Sequence, residues 1–181
     1  KGCHAIEQSA HFDVKNKIEN LPKFLNSLNF FLGKKSISII SVKRKKTIFH
    51  SRFDAKERTY EYKIINREGS LSLDNSKAWH VKKKLNISLL KKGAKILEGT
   101  HDFSTFRASS CSAKSPIKKM YSVKVNKKGD QIFLIFRSKS FLQNQVRSMV
   151  GSLKYLSSGK WSLKEFKKAF FSKKRSNCAP P

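Results

Sequence analysis

An α+β fold is what this sequence predicts, and three observations predict it. Residues 59–65 alternate faces in the manner of a strand. Residues 119–125 and 131–136 alternate apolar and polar side chains around Lys127-Lys128-Gly129-Asp130, the pattern of a hairpin. Apolar side chains recur at helical spacing in 22–32, 87–97 and 141–156. Mixed helices and antiparallel hairpins in one chain define the class. No internal repeat is present.

The elements follow in order. Residues 6–14 read as a strand. Residues 22–32 read as a helix, with Leu21, Phe24, Leu25, Leu28 and Leu32 on one face and Gly33 stopping it. Residues 37–42 read as a second strand. Lys43-Arg44-Lys45-Lys46 is either a solvated turn or a phosphate contact. Phe49-His50-Ser51-Arg52-Phe53 leads into the strand that begins at Thr59. Residues 67–75 read as a loop and Trp79-His80-Val81 as a short strand. Asn86 caps the helix over 87–97, and Gly99 closes it. Residues 101–108 form an aromatic loop, and 109–116 a polar connection. After the hairpin, residues 141–156 read as a helix ended by Gly159. Ser162 and Glu165 form a capping box for the last helix.

The chain has 181 residues, 38% of them apolar, so it can build a substantial core. Its formal charge is +28, which favours a polyanionic partner such as nucleic acid. Of its 40 basic residues only eight are arginine. A chain that defaults to lysine keeps arginine where a planar, bidentate fork is needed. Cys3, Cys111 and Cys178 lie far apart, with no zinc-like spacing, and read as free thiols of a reducing compartment. These residues read without a signal peptide, and no apolar run among them reaches membrane length.

The stretch 52–62 organises the candidate chemistry. Tyr60 and Tyr62 share one face of a strand. They serve either as core packing or as a platform for a nucleobase. Arg147 lies at the edge of an apolar helical stripe, one turn from Gly151. It is either a snorkelling arginine or one that awaits a carboxylate or phosphate. Phe103 and Phe106, beside Arg107, serve equally well as a plug over the helix before them. The scattered histidines His4, His50, His80 and His101 suit structural roles. No Ser-His-Asp arrangement, phosphate-binding glycine loop or carboxylate pair stands out among the 12 acidic residues.

Taken together, the segments resemble the tRNA pseudouridine synthase A family. Lys1-Gly2-Cys3-His4-Ala5 is similar to the stretch immediately after that family's catalytic aspartate. Phe49-His50-Ser51-Arg52-Phe53, Ala55, Arg58 and Tyr60-Glu61-Tyr62 resemble its central motif. Asp102-Phe103-Ser104-Thr105-Phe106-Arg107-Ala108 resembles its Asp-Phe-x-x-Phe-Arg-Ala. Phe141-Leu142 with Val146-Arg147-Ser148-Met149-Val150-Gly151 resembles its Phe-Leu…Val-Arg-Asn-x-Val-Gly, and Ala179-Pro180-Pro181 its terminal motif. Cys3 stands for a usual Val and Ser148 for a usual Asn.

The resemblance implies a pseudouridine synthase fold: two antiparallel-sheet domains with helices on one face and a basic cleft between them. Residues 1–50 would be a remnant of the first domain and 51–181 most of the second. It implies an isomerase of uridines in the tRNA anticodon stem-loop, a cytoplasmic homodimer without metal or organic cofactor. Tyr60 and Arg147 are the expected catalytic residues, the second paired with the aspartate. Leu142, Arg52, Arg58, Phe106, Arg107 and His4 are expected to bind substrate. The nucleophilic aspartate would fall just before Lys1, so the chain is expected to be a fragment, inactive alone. A non-catalytic RNA-binding protein, or a degenerate synthase that only binds tRNA, are the alternatives.

Overall fold

The structure is a computed structural model and describes residues 3–181; Lys1 and Gly2, which open the first motif, lie outside the described residues. The chain divides into two compact units after Ala55, five residues beyond the boundary read from the sequence.

The first unit contains one α-helix among its described residues, α1 (Leu21–Leu32). Its start follows from Asn20, whose side chain accepts the Lys23 N–H at 2.9 Å, and from Pro22 in the first turn. A single 3-10 turn, Gly33–Lys35, follows. The strands expected over 6–14 and 37–42 are not formed; both stretches are irregular. Alternation alone makes no strand, because the ladder needs a partner. Residues 37–42 are held locally instead. Asn29 accepts the Ile39 N–H at 2.7 Å and donates to the Ile39 carbonyl at 3.0 Å.

The second unit is built on a five-stranded sheet. Its strands are β1 (Arg58–Ile65), β2 (Trp79–His80), β3 (Gly99–Asp102), β4 (Ile117–Lys128) and β5 (Gln131–Ser138), in the order β2-β1-β5-β4-β3. All pairings are antiparallel except β1 with β2. The expected hairpin is β4–β5, and Gly129 at its tip has a φ of +59°, which a residue without Cβ adopts without strain. A register shift between Met120 and Ser122 marks a bulge in β4.

Three helices cover one face: α2 (Ile87–Leu97), α3 (Gln145–Ser157) and α4 (Leu163–Phe171). Asn86 caps α2 by accepting the Leu89 N–H at 3.0 Å, and Ser162 with Glu165 forms the expected box at α4. The core lies between this layer and the even-numbered residues of β5, Ile132, Leu134 and Phe136, all fully buried. Gly93 of α2 is packed so closely that a Cβ there would meet Leu153 and Leu156 of α3.

Two expectations are corrected by the second unit. The helix read from 141 begins only at Gln145, because Asn144 takes a left-handed φ of +59° and turns the chain into the helix. Residues 101 and 102, read as the start of a loop, belong to β3 and pair with β4. No helix of the described residues is long and apolar enough to cross a membrane.

Candidate active site

Tyr60, Tyr62 and Ile64 project from one face of β1. Their β5 partners are Phe136, Leu134 and Ile132, so the face is the one that carries the core. Burial rises along the strand: Tyr60 is exposed at 40%, Tyr62 is half-buried and Ile64 is fully buried. Tyr60 therefore stands where the core gives out. Its ring meets Phe141 edge-on, with centroids 5.0 Å apart. Among the described residues its hydroxyl has no hydrogen-bond partner.

Phe141 and Leu142 lie in the turn between β5 and α3. Leu142 is 4% exposed and packs into the core. Its N–H donates to Gln145 Oε1 at 2.8 Å, so the first residue of α3 fixes the turn that precedes it. Among the described residues the amide nitrogen of this fully buried Gln145 has no partner.

Arg147 occupies the first turn of α3 and is exposed. No acidic residue shares that turn. Among the described residues the guanidinium makes no hydrogen bond or ion pair. A cation at the positive end of a helix is electrostatically disfavoured unless an anion joins it. Its charge is felt at Tyr62: burial pushes that phenol above its ordinary value, and Arg147 pulls it back part of the way.

Arg107, expected to bind substrate, braces its own loop in this structure. Its Nη2 donates to the carbonyls of Cys111 at 2.7 Å and Ala113 at 2.8 Å, which braces the loop 108–116. Within that loop Cys111 is buried. Burial pushes its thiol up, but the Gln143 and Ala113 N–H groups and Arg107 outweigh this, so it lies below its ordinary value. The loop is tied to the turn before α3 by Ala108 N–H on the Gln143 carbonyl at 3.2 Å.

Phe106, expected to bind substrate, is a core residue at 1% exposure. It stacks on Phe170 at 5.4 Å, and Phe103 lies 5.3 Å from the same ring. The Thr105 hydroxyl donates to the Ala169 and Phe170 carbonyls. The aromatic motif thus plugs the space under α4, rather than covering the helix before it. An aromatic pair with helical spacing carries no sign of which helix it will meet.

Arg58 donates from Nη1 to the Lys139 carbonyl at 2.6 Å and so joins the start of β1 to the chain after β5. The remaining expected residues belong to the first unit. The Arg52 guanidinium lies 5.9 Å from the Phe53 ring centroid. It belongs to a turn in which His50 Nδ1 accepts the Arg52 and Phe53 N–H groups and Asp54 accepts the His50 N–H. His4 is exposed in an irregular segment. The structure therefore brings Tyr60, Phe141, Leu142, Tyr62 and Arg147 to one end of the sheet and α3.

Two residues of this end are not found by sequence reasoning. Nothing in the spacing of Gln145 marks it. Arg175 donates to Ser148 Oγ at 2.9 Å, next to Arg147; its isolation in a lysine-rich tail is the one signal that could have found it.

Strand-borne tyrosines and an arginine without an acidic partner among the described residues, gathered at one end of a mixed sheet on a strongly basic chain, suit an enzyme that handles RNA bases. The family model described as tRNA pseudouridine synthase matches residues 94–181, which contain Arg147. A tRNA pseudouridine synthase A of Pelagibacter ubique is 57% identical over 180 residues, covering 99% of this chain and 73% of the relative. Those of Maricaulis maris and Caulobacter vibrioides are each 38% identical, over 99% of this chain and 72% of the relative. The chain belongs to the tRNA pseudouridine synthase A family.

Proposed function

We propose that this chain carries the base-holding half of a uridine-isomerising site, and that its substrate is the anticodon stem-loop of tRNA. In the reaction the bond from C1′ to N1 of uridine breaks, the base turns, and C5 bonds to C1′ and loses its proton. Tyr60 stacks on the extruded base, and its hydroxyl takes part in removing the C5 proton. Leu142 backs the base, and Arg147 pairs with the catalytic carboxylate. Arg52, Arg58 and His4 meet the RNA backbone. Extruding a base costs a few kcal/mol, and an aromatic partner returns about 1–3 kcal/mol of it.

The observation that carries this reading is Arg147: a cation in the first turn of α3 without an acidic partner among the described residues. It marks where an anion belongs. The same observation favours binding without turnover by these 181 residues alone, since none of their described carboxylates stands at Arg147. We propose further that residues 51–181 form the second domain of a cytoplasmic homodimer.

The test is tritium release from tRNA labelled at uridine C5. A version extended to the relatives' full length should release tritium and the 181-residue chain should not. In the extended version Tyr60→Phe should keep most of the binding and lose turnover, and Arg147→Met should lose turnover by about three orders of magnitude or more. Release by the 181-residue chain alone, or full turnover by Tyr60→Phe, would overturn these assignments.

A further inference from the structure

The face that carries Tyr60 and Tyr62 continues sideways. Trp79 of β2 pairs with Ile64 of β1, so its side chain projects on the same face. Tyr62 and Trp79 meet edge-on, 6.2 Å between centroids. Above them runs α3, on which Arg147 and Lys154 are seven residues apart and so share one stripe. Arg147 acts at Tyr62, while Lys154 lies 5.7 Å from the Trp79 ring centroid.

At the far end of α3 the pattern repeats. Lys154 is also 5.7 Å from the Tyr155 ring, so one ammonium serves two aromatic rings. Lys160 approaches the Tyr155 ring at 4.8 Å, and Trp161 meets that ring edge-on at 5.3 Å. The turn is held by the Lys160 and Trp161 N–H groups, both donated to the Tyr155 carbonyl. Two ammonium groups thus converge on one ring. Among the described residues neither has a carboxylate partner. Glu165, which borders this surface, is already bound to the Ser162 N–H and hydroxyl. Lys82, Lys83 and Lys84 are exposed alongside, in a segment pinned to the end of α3 by Asn86 N–H on the Ser157 carbonyl.

A core does not gather unpaired cations, and a merely solvating surface does not set them over half-buried indoles. The combination is that of a single-strand platform: rings for bases and ammonium groups for the phosphates between them. We propose that Trp79, Lys154, Tyr155, Lys160 and Trp161 form a second RNA-binding surface, which takes an unpaired nucleotide and its phosphates from the strand that leads away from the Tyr60–Arg147 end. This rests on the reading of the chain as RNA-binding. The occupant is RNA rather than an apolar peptide, because the surface is cationic and the whole chain carries +28.

The chain's two tryptophans are both on this surface, so their emission reports on it directly. The 181-residue chain is titrated with tRNA, with an unstructured oligouridylate, with duplex RNA and with polyglutamate. Tryptophan emission should fall with tRNA and oligouridylate, and Trp79→Phe and Trp161→Phe should each remove part of that change. The double variant Lys154→Gln, Lys160→Gln should keep its far-UV spectrum and bind oligouridylate on the order of tenfold more weakly at low salt. The slope of log K against log salt should shrink by about 0.7 for each phosphate that the variant no longer neutralises.

Binding of tRNA with unchanged tryptophan emission would overturn this surface and leave the proposed function standing. So would a double variant with the parent's affinity and salt slope. Equal quenching by duplex RNA or polyglutamate would overturn the single-strand assignment. Absence of any tRNA binding would overturn both readings.

Discussion

The two units of the chain contrast in what they bury. Residues 3–55 include Phe12, Phe24, Phe30, Phe31 and Phe53, yet none of their described residues is buried. Residues 56–181 hold a continuous core from Ile64 to Phe170. The local chemistry is the same in both. Asn20 caps α1 and Asn86 caps α2 with equivalent hydrogen bonds, 2.9 and 3.0 Å long. The difference is that α2 buries Leu90, Gly93, Ala94 and Leu97, while α1 buries nothing. Caps and propensity set where a helix begins; tertiary packing supplies most of its stability.

The largest test of that contrast is in the aromatics. Phe136→Ala should destabilise the second unit by about 3–5 kcal/mol, a large share of what a domain has. Phe30→Ala, at a ring 82% exposed, should stay within about 0.5 kcal/mol. Urea unfolding followed by far-UV circular dichroism measures both. Equal losses would mean that Phe30 is buried in solution, and the contrast would fail.

A second comparison uses two glycines. A Cβ at Gly151 of α3 would run into the Pro180 backbone, whereas one at Gly33 meets nothing within 4 Å. Gly33 already has helical angles, φ −53° and ψ −41°. Gly151→Ala should therefore cost about 1–3 kcal/mol, since backbone yields less readily than a side-chain tip. Gly33→Ala should be neutral or stabilising by a few tenths of a kcal/mol. Thermal melting of the two variants separates them, and an unchanged midpoint for Gly151→Ala would show that residues 179–181 are not seated on α3.

The smallest effect is in acid. The carboxylates held below their ordinary values are Glu57, Glu98, Asp102 and Glu165, all in the second unit. For Glu98 the main cause is its bond to Lys95, opposed by burial and helped by the Val123 N–H. A depressed carboxylate adds stability that is present above its unfolded value, about 4, and is lost as pH falls through the folded value. The urea midpoint of the second unit should thus drop below about pH 4.5, and Glu98→Gln should flatten the drop. A midpoint that rose on acidification would contradict the sign.

Legibility in the sequence divides along the same line. The hairpin β4–β5 is readable because its alternation, its Gly-Asp tip and its partner are all local. The capping residues Asn86 and Ser162 are readable for the same reason. The strands expected over 6–14 and 37–42 fail because alternation says nothing about whether a neighbour exists. Tyr60 and Arg147 are picked out by residue type and motif, and the structure sets both at one end of the sheet and α3. The contact of Phe106 with Phe170, and the bonds of Arg107 to the carbonyls of Cys111 and Ala113, are not legible, because residue type and motif do not say which neighbours the fold supplies. Trp79 and Trp161 lie far apart in sequence, and only the fold sets them beside Lys154 and Tyr155.

The close seat of Pro180 on Gly151 has a practical side. Ala179 is buried, and the backbone after it lies directly against the helix that presents Arg147 four residues earlier. Anything joined to Pro181 is therefore anchored beside Gly151, one helical turn after Arg147. An affinity tag or fluorescent fusion placed there pulls on α3 itself, whereas one placed before Cys3 is attached to the other unit.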